Sequence, residues 1–223
     1  MKSLDGRSAS RRKKGRVPRP PLPDLQNLSA EQQSVLEAIV RGPRGRLDDP
    51  LAVWLQSPEL ADLAQKLGAF CRYGTSLEPS LSEFLILCVA EHWQAGLEWA
   101  IHAPIACEAG LKESVLASLA QGEEPEFADA RFATAYRFAK ELLETKAVSP
   151  TAYEDAITEL GTRGVVEMVG ILGYYSLISM TIKAFAIPVP AQCKDPFPAR
   201  RLQTRQQDQQ PSVRKSSASR ETY

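Results

Sequence analysis

Histidine is scarce in this sequence: only His92 and His102 occur, so any imidazole chemistry must come from one of two positions. The four cysteines, Cys71, Cys88, Cys107 and Cys193, lie far apart with no C-x-x-C, which argues against a disulfide scaffold and a zinc ribbon. Scattered thiols of this kind suit the cytoplasm, and neither a metal nor a cofactor is expected. No alternating apolar–polar run of strand length is present, which leaves an all-α fold. An uninterrupted apolar run of membrane length is missing too. The longest, Val165 to Ile187, is broken by Glu167, Lys183 and several Ser, Thr and Gly, so it is expected to be a buried helix and not a span. The basic N-terminus leads into Pro18–Pro23 and not into an apolar segment, so no secretory signal is expected.

The formal net charge of zero conceals a strong segregation. Residues 1–20 carry a net charge of +7 and residues 194–223 a net charge of +4, which leaves −11 on 21–193. An acidic centre repels phosphate, so no nucleic-acid partner is expected of the folded part. The ends are rich in Arg, Lys, Ser, Pro and Gln and are too polar to bury a core. The expected organisation is a disordered basic tail over 1–24, a helical domain over 25–190 and a second disordered tail over 191–223.

Within the domain, helix signals recur. Ser29 precedes Ala30-Glu31-Gln32, with apolar Val35, Leu36 and Ile39. Ser57-Pro58 supplies a cap and a first-turn proline, after which Leu60, Leu63, Leu67 and Phe70 fall at helical intervals. Further helices are expected over about 81–93, 97–109, 112–120 and 124–146. Ser149-Pro150 opens another that ends near Gly161, and 164–185 closes the domain before Ile187-Pro188-Val189-Pro190.

His102 lies four residues after Glu98, which puts both side chains on one helix face, about 40° apart. A carboxylate there can fix the imidazole tautomer and stabilise the imidazolium, giving a general acid near neutral pH; the alternative is an ordinary surface pair. Ser80-Leu81-Ser82-Glu83 reads as a capping box, with Glu83 reaching back to its cap. Cys88 and His92 share the same four-residue spacing and read as a core cysteine beside a helix-end histidine. Arg72 either clamps a carboxylate or simply sits as a cation at a helix C-terminus. Tyr174, Tyr175 and Lys183 on the last helix are candidates to line a pocket.

Three phrases taken in order resemble the carboxymuconolactone decarboxylase family, within the alkylhydroperoxidase D-like superfamily: Leu81-Ser82-Glu83-Phe84-Leu85-Ile86-Leu87, Glu98-Trp99-Ala100-Ile101-His102-Ala103 and Ala109-Gly110-Leu111. Flanking phrases around Ser57-Pro58-Glu59-Leu60, Arg72-Tyr73-Gly74-Thr75-Ser76-Leu77 and Gly161 to Glu167 extend the resemblance from about Ser57 to Pro190. The thiol branch of that superfamily has a glutamate, two cysteines and a histidine. Counting back from His102, the glutamate falls on Glu83 but the cysteine positions hold Ala95 and Glu98. Thiol reduction of a peroxide needs an attacking and a resolving cysteine, so the Glu-Trp-x-x-His form resembles the decarboxylase branch instead.

The resemblance implies an alkylhydroperoxidase D-like fold assembled as a homotrimer or homohexamer. It also implies a cofactor-independent lyase of aromatic-compound catabolism acting on a small carboxylated lactone or similar organic acid. His102, Glu98 and Glu83 would be catalytic, and Arg72, Trp99 and Tyr174 would bind the substrate, with no nucleic acid or membrane involved. The rivals are a peroxiredoxin-like antioxidant enzyme of the same superfamily and a non-catalytic helical oligomer that binds a small molecule. A straight α-hairpin pivoting at Ala95 sets Glu83 and His102 about 8 Å out of register, so their meeting demands crossed helices, a bend or a water.

Overall fold

The computed structural model describes residues 22–197, so most of both expected tails lies outside the described residues. Among the described residues the chain is helical throughout, without a strand. The order is α1 (Ala30–Arg41), α2 (Asp49–Trp54), α3 (Pro58–Tyr73), α4 (Pro79–His92), α5 (Gly96–Glu108), α6 (Glu113–Gln121), α7 (Ala130–Thr145) and α8 (Pro150–Phe185).

Two helices organise the rest. Every residue of α4 from Leu81 to Ala90 is buried, which fits a run that is apolar on all sides from Phe84 onward and carries Ser82 and Glu83 at its start. The long α8 packs against α3, α4 and α7, while α5 folds back on α4 as an α-hairpin. By length and mean hydropathy α8 is the one helix among the described residues that would cross a membrane, yet 61% of its apolar window is buried inside the protein. Core packing alone accounts for that composition. At Gly161 (φ 69°, ψ 167°) the backbone leaves helical geometry, so the two helices expected on either side of it run on as one kinked element. Only glycine takes that conformation without strain.

Local chemistry explains most helix ends. Ser29 closes a full capping box with Gln32, and Gln32 Nε2 donates to the carbonyl of Leu55, tying α1 to the end of α2. The helix expected from residue 124 begins only at α7, where Asp129 caps the backbone N–H of Arg131. The helix α2 carries no amphipathic period, since Pro50 through Trp54 are all buried, and it gave no periodic signal. Its Trp54 Nε1 donates to Thr181 Oγ1 at 3.0 Å, anchoring it on α8.

The period expected for α3 is present, but its buried face is the opposite one. Ala61, Ala64, Gln65, Gly68 and Cys71 face inward, while Leu60, Leu63, Leu67 and Phe70 are exposed. Small residues let the α3 backbone approach α8 closely: a Cβ on Gly68 would lie 2.1 Å from the Tyr174 hydroxyl, and one on Gly170 would lie 4.0 Å from Cys71 Sγ. The packed chain also continues past Pro190, where the domain boundary was expected. Phe197 is buried edge-on against Trp99, with ring centroids 5.4 Å apart.

Two of the flanking phrases meet as structure. Glu167 on α8 accepts hydrogen bonds from the backbone N–H and the hydroxyl of Ser76, both at 2.6 Å, and from Arg163 Nε at 2.8 Å. This clamp fixes the α3–α4 connection on α8, next to the start of the helix that carries Glu83.

Candidate active site

Pro79 sets where α4 starts. Proline is favoured in the first turn, and here it places the cap at Glu78, ahead of Ser80. The expected capping box is therefore absent, and Glu83 sits inside the helix with its carboxylate buried. At the other end Gln94 adopts a left-handed conformation (φ 50°) and α5 begins at Gly96. The hairpin pivot thus lies midway between His92 and Gly96, which reduces the register offset to about 4.5 Å, within side-chain reach.

Glu83 and His102 meet directly. His102 Nδ1 and Glu83 Oε2 are 2.6 Å apart, and on the other side of the ring Nε2 lies 3.1 Å from Glu98 Oε1. All three residues are buried. Arg72 stands behind Glu83, its Nε 3.9 Å from Oε1, and its guanidinium lies 5.2 Å from the centre of the Tyr73 ring. The Tyr175 ring packs edge-on against the imidazole at 5.2 Å.

Burial is the largest single influence on His102 and disfavours its charged form. The hydrogen bonds and charges of Glu83 and Glu98 together outweigh it, so the imidazole pKa is raised above its ordinary value. An imidazolium donates from both nitrogens and so satisfies both carboxylates at once, whereas a neutral ring satisfies one. Burial pushes the Tyr174 hydroxyl up to about 12 and Tyr175 well above its usual range, so both remain protonated donors at neutral pH.

His102 and Glu98 line a small cavity together with Arg72, Tyr174, Tyr175, Arg44 and Asp48. Its volume of about 20 Å³ takes one water-sized group and little more. Of the residues expected at the site, Glu83, Glu98, His102, Arg72 and Tyr174 are thus brought together. Trp99 is not: it points to the C-terminal segment and pairs with Phe197. Lys183 also lies elsewhere, donating to the backbone carbonyl of Gln94 at 2.5 Å and bracing the α4–α5 turn. Arg44 was missed by sequence reasoning. Set in Gly42-Pro43-Arg44-Gly45-Arg46, it reads as a solvated loop cation, and no local pattern shows that its side chain turns inward.

The cysteines take no part in this arrangement. All four are free. Burial raises the Cys71 thiol to about 11 and pushes Cys88 further still, so neither supplies a thiolate at neutral pH. Cys88 and His92 line a separate concavity with Tyr136 and Lys140, between α4, α6 and α7. Burial is also the main reason that His92 is held below its ordinary pKa. Neither a protein-family model nor a curated protein matches this sequence.

Proposed function

We propose that this chain is a cofactor-independent decarboxylase, or a related lyase, acting on a small organic acid such as a carboxylated lactone. One observation carries the reading: a buried histidine held between two buried carboxylates at 2.6 and 3.1 Å, facing a cavity rich in cationic and hydroxyl donors. Loss of CO2 from a carbon next to an electron-withdrawing carbonyl breaks the C–C bond and leaves its electron pair on the enolate. Carbon must then take a proton. His102 as imidazolium supplies that proton at its Nε2 side, with Glu98 orienting it and Glu83 holding Nδ1 and stabilising the charge. Arg72 stands 3.9 Å from the far oxygen of Glu83 and leaves Oε2 to the imidazole.

The test is mass-spectrometric screening of the full chain against small lactone acids and β-keto acids for CO2 loss. The expected outcome is turnover of at least one such acid, retained when all four cysteines are replaced (Cys71→Ala, Cys88→Ala, Cys107→Ser, Cys193→Ser). Turnover of a hydroperoxide that disappears in the same folded variant would reverse the reading in favour of the thiol antioxidant class.

The resemblance also implies self-association, and the exposed face of α3 supports it. Leu63 is 68% exposed and Val166 on α8 is 66% exposed. Leu60, Leu67 and Phe70 on α3 and Val169 on α8 are exposed as well, and a second copy of the chain would cover such side chains. Light scattering is expected to give a multiple of 24.5 kDa, and Leu63→Glu combined with Val166→Glu should reduce it to the monomer. A wild-type monomer at micromolar concentration would remove the trimer or hexamer from the proposal.

A further inference from the structure

We propose that Arg44, with the hydroxyls of Tyr174 and Tyr175, forms a subsite that holds a carboxylate of the ligand against Glu98 and His102. The subsite shares its location with the decarboxylase reading and rests on that reading only there; it is a claim about binding.

Three observations converge on it. The guanidinium of Arg44 turns into the cavity and donates to the Tyr174 hydroxyl at 3.2 Å, but its Nε is buried with no hydrogen-bond partner. No carboxylate among the described residues is ion-paired with Arg44; of the two acids lining the cavity, Asp48 is bonded to Arg46 at 2.8 Å and Glu98 to His102 at 3.1 Å. A buried N–H left unmatched is costly, and an arginine fork is shaped for the two oxygens of a carboxylate. Second, the Tyr175 hydroxyl lines the same cavity, is unpartnered, and belongs to a residue only 2% exposed. Third, Gly68 on α3 leaves the space this pair needs. A Cβ there would lie 2.1 Å from the Tyr174 hydroxyl and 2.3 Å from the outer nitrogen of Arg44. Glycine is disfavoured inside a helix relative to alanine, so its place here is explained by the Arg44–Tyr174 pair.

Charge selects the ligand class. Glu83 and Glu98 are balanced by Arg72 and Arg44, and Asp48 by Arg46, so the site has no net charge with a neutral imidazole and one net positive charge with His102 protonated. It therefore takes a monoanion, and takes it together with a proton. One net positive charge matches formate or acetate and falls short of the dianionic form of phosphate.

The experiment is a titration of the full chain with sodium formate, acetate and inorganic phosphate at constant ionic strength set by chloride, read by calorimetry and by thermal stabilisation. Formate is expected to bind, phosphate not to compete, and the formate affinity to fall as pH rises from 6 to 9. Arg44→Gln and Tyr175→Phe should each weaken formate at least ten-fold, while the exposed Arg41→Gln leaves it unchanged. Arg44→Lys keeps the charge but not the fork, and serves if the glutamine variant fails to fold; it too should weaken binding. Formate affinity unaffected by Arg44→Lys and Tyr175→Phe, or phosphate binding as tightly as formate, would overturn the subsite. Its fate is separable from that of the decarboxylase. Formate binding lost in these variants with no acid decarboxylated leaves the subsite standing alone. Turnover that needs His102 but not Arg44 removes the subsite and spares the reaction.

Discussion

His102→Gln is expected to lower kcat by at least about 10²-fold on any acid that the protein decarboxylates, the smallest loss typical of a general acid. Glutamine can still hydrogen-bond to one carboxylate, but it cannot carry the proton. The same change should destabilise the fold. Glu83 and Glu98 are both buried against the ring, and removing the partner of buried charges costs roughly 3–5 kcal/mol. The double variant Glu83→Gln with His102→Gln separates the two effects, because it removes one buried charge together with its partner. It should recover part of the lost stability and none of the lost turnover. Glu98→Gln should lose less than His102→Gln, since Glu98 lies on the cavity side of the imidazole and only orients it. Glu83→Gln should lose least, because the glutamine amide oxygen can still accept from Nδ1 while Glu98 stays on the other side of the ring. Full activity in a folded His102→Gln protein would make the triad a structural ion cluster. The search for the acid would then pass to Arg72 and Tyr174.

Part of this arrangement was legible in the sequence, and the division has physical causes. Glu98 and His102 are four apart on one helix, so the periodicity alone put them together. The local pattern makes Glu83 a cap, because Ser80 and Glu83 match the capping box, and only the family resemblance offers it as a site residue; Pro79 decides the helix start. Its contact with His102 depends on where the α4–α5 turn falls, and that turn is set by the left-handed Gln94, a residue with no strong signal for it. On α3 the period was readable but not its direction. Leucines and a phenylalanine outrank alanine and glycine on any hydropathy scale, yet close packing on α8 selects the small face. Arg44 was invisible for a different reason: its role comes from long-range placement opposite Tyr174, across a sequence separation of 130 residues.

The pH dependence of stability should have two limbs, with one buried group leading each. His102 has a folded pKa above its ordinary value of 6.5. Its contribution is therefore complete below the unfolded pKa and is lost as pH rises through the folded one. Glu167 behaves in the opposite sense. Burial raises its pKa, but the hydroxyl of Ser76, Arg163 and the backbone N–H of Ser76 outweigh that and hold it below 4.5. Its contribution is present above the unfolded pKa and is lost as pH falls through the folded value. Urea midpoints measured from pH 3 to pH 9 should thus be highest between the two limbs. Glu167→Gln should shrink the acid limb and cost about 2 kcal/mol at neutral pH, in line with hydrogen bonds to a charged group. Most of that loss falls on the Ser76 contacts, because Arg163 is 72% exposed and screened by water. His102→Gln should instead flatten the alkaline limb, where the wild type loses the proton shared with Glu83 and Glu98. The wild type and the His102→Gln variant losing stability equally between pH 7 and 9 would mean that the imidazolium is not the form the fold holds, and the case for His102 as the proton donor would fall with it.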